Sequence, residues 1–198
     1  MVHQILVHSI NRKQMILAVL VVSFAAIMQC MALIRFSNAL LTGQDKTLIS
    51  VSQWILILAS VTGMFFYWIL ITLLSRSAPM AVWKIKTDFR ILLLRIGLGF
   101  IVFILSYLII NIILNGFLKE ISTIMLEQKN IFQIITTQTG YKIILRINQA
   151  ANGLLWIWCV LVIIKTNRLT TKKAIILFII LCCIFGLLMA GFAQIFRS

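Results

Sequence analysis

The sequence predicts an all-α fold: a polytopic transmembrane helical bundle of five spans, with the N-terminus inside and the C-terminus outside. Three observations lead there. Hydrophobic residues make up 62% of the chain and charged residues 11%, against roughly 45–50% and about 25% in soluble domains. The apolar residues come in blocks of the length, roughly 20, that a helix needs to cross a hydrocarbon core about 30 Å thick. Lys and Arg punctuate those blocks in short clusters, which is how membrane topology is encoded.

Five blocks qualify, at 14–36, 52–74, 91–118, 147–165 and 174–196, and together they make residues 1–198 a single integral membrane domain. Backbone groups in lipid must be satisfied within their own segment, so each block is a helix despite its Ile and Val content. A membrane β-barrel would show alternating segments of about 10 residues, and these blocks are apolar all round.

The first block, preceded by Arg12 and Lys13, has the flavour of a secretory signal, with Ser37-Asn38-Ala39 beyond it. Its apolar run exceeds the 7–15 residues of a signal core, and Arg35 interrupts the approach to any cleavage point, so it reads as an uncleaved span. After the second block, the connection at 75–90 carries Arg76, Lys84, Lys86 and Arg90 and is the densest basic patch. The third block, about 42 Å long if helical throughout, is longer than the bilayer requires, so it starts in the head-group layer with Arg95 reaching back to the surface. Between the third and fourth blocks, Ile121, Ile124, Met125, Phe132 and Ile135 recur at near-helical spacing. That pattern fits an amphipathic helix lying on the outer surface, or a loop with incidental apolar residues. The fifth block carries Cys182, Gly186 and Ala190 at spacing four, a small-residue stripe that lets another helix approach closely, internally or in a second copy.

Orientation follows from the basic residues. With the N-terminus inside, the inner side holds Arg12, Lys13, Arg76, Lys84, Lys86, Arg90, Arg95, Lys165, Arg168, Lys172 and Lys173. The outer side holds the smaller set Arg35, Lys46, Lys119, Lys129, Lys142, Arg146 and Arg197. The positive-inside rule then selects this orientation. The net charge of +14 therefore points to anionic lipid head groups at the inner face as partners. It does not point to nucleic acid, which calls for a water-exposed basic face or a recognisable module.

Ionisable groups inside the bilayer mark transport and proton movement because they are expensive to keep there. Here Asp45, Asp88, Glu120 and Glu127 all fall between spans, and His3 and His8 precede the first. No HExxH pattern, paired intramembrane carboxylates or Ser–His pair within a span is present, so the expectation is a protein that is not an enzyme and holds no cofactor or metal. Cys30, Cys159, Cys182 and Cys183 lie in apolar blocks with no CxxC spacing and read as packing residues. The tryptophans fall mostly near span ends, as interfacial anchors do.

Neutral polar residues remain. Asn111 and Asn115, four apart, share a face of the third span; Arg146, Gln149 and Asn152 recur every three residues at the start of the fourth; Gln29 lies deep in the first. They form either a polar cluster that grips a lipid head group or small ligand, or the ordinary amide hydrogen bonding that holds membrane helices together.

Two stretches carry a family resemblance. One runs Phe66-Tyr67-Trp68-Ile69-Leu70-Ile71-Thr72-Leu73-Leu74, then a basic connection, then Phe89-Arg90-Ile91-Leu92-Leu93-Leu94-Arg95-Ile96-Gly97. The other runs Leu155-Trp156-Ile157-Trp158-Cys159-Val160 onward into Leu169-Thr170-Thr171-Lys172-Lys173-Ala174. Together they resemble the bacterial branch of the Yip family, five-span membrane proteins named for relatives that interact with Rab-type GTPases. The resemblance implies a helical bundle in a bacterial cytoplasmic membrane, with no catalytic residues to carry over.

The function expected from the sequence is a non-enzymatic Yip-type protein that binds a membrane partner, a lipid or a second copy of itself. The alternatives are a small transporter or permease subunit for an uncharged or hydrophobic solute, and a bacteriocin receptor or immunity protein.

Overall fold

The structure, a computed structural model, describes residues 12–40, 46–125, 139–173, 175–180 and 183. Five helices can be delimited: α1 (Arg12–Leu40), α2 (Lys46–Trp83), α3 (Phe89–Gly99), α4 (Ile101–Met125) and α5 (Thr139–Asn167). A further helical stretch covers 171–173 and 175–180, and no strand occurs among the described residues. Four segments are long and apolar enough to cross a bilayer: Arg12–Asn38, Ile49–Trp83, Phe89–Leu118 and Thr139–Asn167. The chain is an integral multi-pass membrane protein.

The distribution of side-chain size explains how such helices associate. Leu20, Phe24, Leu58, Phe66, Leu105 and Ile112 each stand half exposed or more; lipid solvates them as well as a core would. Hydrophobic burial cannot then drive association, and close van der Waals contact must. On α1 the buried face is accordingly small: Ala18, Val22, Ala25, Ala26 and Ala32. That face packs against α2, α3 and α4, while α5 packs against α3 and α4. The expected small-residue stripe at Cys182, Gly186 and Ala190 lies outside the described residues.

Helix α2 corrects the expected boundary at residue 74. It runs on through Pro79 to Trp83, although Pro79 has no N–H to return to the carbonyl of Ser75. Its 38 residues are about 57 Å long at 1.5 Å per residue, so its ends stand clear of the hydrocarbon layer. The basic connection shrinks to 84–88. Lys84 adopts a left-handed conformation with φ 54°; its N–H bonds to the Met80 carbonyl at 3.0 Å and the Ile85 N–H to that of Pro79 at 3.4 Å. This closes the helix as a glycine-type C-cap does, at some steric cost for a residue with a Cβ. Asp88 then caps α3, its carboxylate accepting from the Arg90 N–H at 2.8 Å. Replacing this cap with alanine (Asp88→Ala) should cost about 1 kcal/mol, visible as a small fall in melting temperature in detergent; an unchanged melt would contradict the capping role.

The third apolar block also departs from expectation. The single helix predicted at 91–118 is two, α3 and α4, meeting at Phe100. The Phe100 N–H bonds to the Gly97 carbonyl at 3.1 Å and the Phe103 N–H to that of Phe100 at 3.0 Å, the tighter i→i+3 pattern of a 3₁₀ turn. Gly97 and Gly99 make the turn accessible, and two tryptophans fill the space they leave. Trp68 from α2 donates its Nε1–H to the Leu93 carbonyl at 2.9 Å, and a Cβ on Gly97 would come within 2.8 Å of its ring. Trp158 from α5 donates to the Arg95 carbonyl at 2.8 Å and covers Gly99. Of the tryptophans read as interfacial anchors, Trp68 and Trp156 are instead buried in the packing, at 4% and 7% exposure. Trp54 and Trp158 stay exposed, at 69% and 40%.

The fourth span likewise begins earlier than 147, at Thr139, and α4 runs on to Met125. The outer-surface helix expected between these spans falls mainly on residues 126–138, outside the described ones.

Candidate functional site

Two regions gather chemistry, one at each half of the bundle. At one end the exposed basic residues of separate connections converge. Lys84, Lys86 and Arg90 lie around the 84–88 turn, and Lys165, Arg168, Lys172 and Lys173 around the end of α5; all are exposed. Two hydrogen bonds tie the connections together. Thr87 Oγ1 donates to Asn167 Oδ1 at 3.0 Å, and Arg95 Nη1 donates to Thr166 Oγ1 at 2.8 Å. Arg95 thus reaches from within α3 to the end of α5. Arg76 sits one layer back on α2 with its guanidinium 6.0 Å from the centre of the Phe89 ring, at the outer range of a cation–π contact. Arg12 and Lys13 are exposed at the start of α1, whose alternation with α2 places them at this same end. Asp88, the one acidic residue described here, is committed to its helix cap.

In the other half, the polar residues expected to form one cluster do not converge. Asn111 is buried at 8% exposure. Its amide donates to the Tyr107 carbonyl at 2.8 Å and across to the Met28 carbonyl on α1 at 3.2 Å, which is interhelical packing. Asn115 is exposed and accepts from Arg35 Nη1 at 3.2 Å; the same nitrogen reaches the Asn111 carbonyl at 3.3 Å. Arg146 and Gln149 are exposed and join neither group. The reason is angular. Residues three apart on a helix drift by about 60° per step, so Arg146 lies about 120° around α5 from Asn152, whereas Asn148 lies only about 40° away.

Asn148 and Asn152 are therefore the pair that faces inward, and sequence reasoning missed Asn148. Asn152 accepts a hydrogen bond from the Tyr67 hydroxyl of α2 at 3.0 Å, and its amide donates to the Asn148 carbonyl at 2.8 Å. Around them lies a cavity of about 340 Å3, with Gln29 of α1, Gly63, Met64 and Tyr67 of α2, and Phe103 and Tyr107 of α4 completing the wall. Farther from the basic end is a second cavity of about 240 Å3, walled mainly by Ala32, Leu33, Phe36, Ile110, Leu114, Tyr141 and Ile144. The two share Gln29, Tyr107 and Asn148. The sequence offers one signal for this site: Gln29 lies deep in the first block.

A chain of aromatic rings runs from the α3–α4 junction to the cavity. Phe100 and Phe103 are 5.5 Å apart, Tyr67 meets both edge-on at 6.0 and 6.2 Å, and Phe103 stacks on Tyr107 at 6.2 Å. Such pairs favour fixed ring orientations, which holds the two tyrosine hydroxyls in place. Among the described residues, no group of three or more His, Cys, Asp or Glu is placed to hold a metal ion. No protein-family model, curated protein or solved structure matches the chain.

Proposed function

We propose that the protein is a non-enzymatic membrane protein of the Yip type that acts by binding anionic lipid or a membrane partner at its basic end. That end faces the cytoplasm of a bacterial cell, with five spans, the N-terminus inside and the C-terminus outside. The observation that supports the reading is the basic end itself. Exposed Lys and Arg from the start of α1, the 84–88 turn and the end of α5 stand together, the turn and α5 being stitched by Thr87–Asn167 and Arg95–Thr166. Beside an anionic leaflet each such residue contributes about 1 kcal/mol of attraction.

Lys84, Lys86 and Arg90 allow a clean test, because their side chains are exposed and Lys84 already occupies a backbone conformation that glycine prefers. The triple variant Lys84→Gly, Lys86→Gln and Arg90→Gln should fold and melt as the parent does. In detergent-purified protein titrated with phosphatidylglycerol and read by native mass spectrometry, its affinity should fall about a hundredfold. Equal retention by parent and variant, or equal retention of phosphatidylcholine and phosphatidylglycerol by the parent, would overturn the assignment.

A further inference from the structure

We propose that the cavity between α1, α2, α4 and α5 is a binding site for an uncharged amphiphile, a molecule with one hydroxyl or carbonyl end and one apolar end. This site is separate from the basic end and does not depend on the function assigned there.

The two chambers differ in chemistry. The one nearer the basic end carries the Tyr67–Asn152 pair and the open flank at Gly63, while the other is walled chiefly by Leu33, Phe36, Leu114 and Ile144. Gln29, Tyr107 and Asn148 stand at the boundary and line both. Tyr67 and Asn152 satisfy one another and act as wall. The boundary residues differ: the Tyr107 hydroxyl and the side-chain amides of Gln29 and Asn148 make no hydrogen bond to another described residue, Tyr107 and Asn148 being bonded only through their backbone carbonyls. Tyr107 is only 8% exposed. None of these groups is fully enclosed by protein, so each stays open to the chambers, where the polar end of a guest can reach it. Amides and a phenol that line a cavity without a hydrogen bond to the described residues suit a guest that can donate and accept.

Charge narrows the guest further. Among the described residues, no Asp, Glu, His, Lys or Arg lines either chamber. A carboxylate, phosphate or ammonium placed there would lose its hydration without gaining a counter-charge, at a cost of several kcal/mol. A hydroxyl or carbonyl loses little and gains the three unmet groups. The first chamber, at about 340 Å3, reaches the lower end of ligand-site volumes, roughly 300 Å3 and above. The apolar second chamber takes the other end of the molecule.

The test uses the full chain in phosphatidylcholine nanodiscs and a diazirine-bearing analogue of 1-octanol as the photoreactive probe. Illumination followed by peptide mapping should place the label on the segments holding Tyr107 and Asn148. 1-Octanol should compete; octane and octanoate, which lack the head or charge it, should compete at least about tenfold less well, as expected for one or two lost hydrogen bonds. Adding diacylglycerol to the nanodiscs separates the sources: competition by it assigns the guest to neutral lipid, and competition by octanol alone assigns it to a free solute, both upholding the site. Two variants guard against misfolding. Gln29→Leu with Tyr107→Phe removes the hydrogen bonds, and Gly63→Leu fills space where an added Cβ meets nothing within 4 Å. Each should elute and melt as the parent does and lose label about tenfold. Label spread evenly over the lipid-facing helices, label unchanged in both variants, or competition by octanoate equal to that by octanol would overturn the proposal.

Discussion

Phe100→Ala is expected to lower the unfolding free energy by about 3 kcal/mol, the low end of the roughly 3–5 found for such truncations in soluble cores. The ring is fully buried at the junction of α3 and α4, in contact with Phe103 and Tyr67. Its removal leaves a void that the rigid aromatic neighbours cannot close. The expected value sits at the low end because a phenyl ring released from this bundle passes into lipid, which solvates it nearly as well as the core does. What is lost is dispersion contact, and that loss is large for a ring surrounded on all sides. Unfolding by SDS titration in mixed micelles measures it. A change below about 1 kcal/mol, the range of ordinary surface substitutions and small losses, would show that the junction is loosely packed.

The second large effect is at Gly99. A Cβ there would clash with Trp158 Cδ1 and lie 2.8 Å from its Nε1, and the indole cannot swing aside without breaking its bond to the Arg95 carbonyl. Gly99→Ala should therefore cost about 1–3 kcal/mol, as overpacking does, even though alanine is the better helix former by about 1 kcal/mol. A double-mutant cycle isolates the cause: with Trp158→Ala in place, the penalty of Gly99→Ala should vanish. Gly153→Ala is the control, since an added methyl there meets no atom within 4 Å; it should be neutral or stabilising by up to about 1 kcal/mol. Equal penalties for Gly99→Ala with and without Trp158 would remove the clamp from the account.

These two sites also mark where the sequence stops being legible. Span positions follow from block length and apolar content, and the first four are where those rules put them, with ends displaced by several residues. The turn at Phe100 was not legible because Gly97 and Gly99 lie inside a continuous apolar run with no proline to break it. Their role depends on Trp68 and Trp158, brought in from two other spans. Apolar content ends the second block at 74 and leaves 75–90 to a basic connection, yet α2 continues through Pro79 because packing outweighs one missing hydrogen bond. At the candidate sites, spacing identified Asn152 but paired it with Arg146 and Gln149, since a three-residue repeat resembles a face while drifting steadily around the helix. Asn111 is legible as a polar residue within the third span; that it is buried and ties α4 to the Met28 carbonyl depends on neighbours the sequence does not name. The basic clusters were legible one by one, and their union through Thr87 and Asn167 required the fold.

The central claim, that hydrocarbon surrounds the long helices and water only their ends, is tested by spin labels placed singly in a chain whose native cysteines are changed to alanine. Leu20, Leu58 and Ile112, exposed at 59%, 71% and 63%, should give labels relaxed strongly by oxygen and weakly by a water-soluble nickel chelate when reconstituted in vesicles. Labels at Lys86 and Lys172 should show the reverse. Ready access of the nickel reagent to Leu58 and Ile112 would contradict the account.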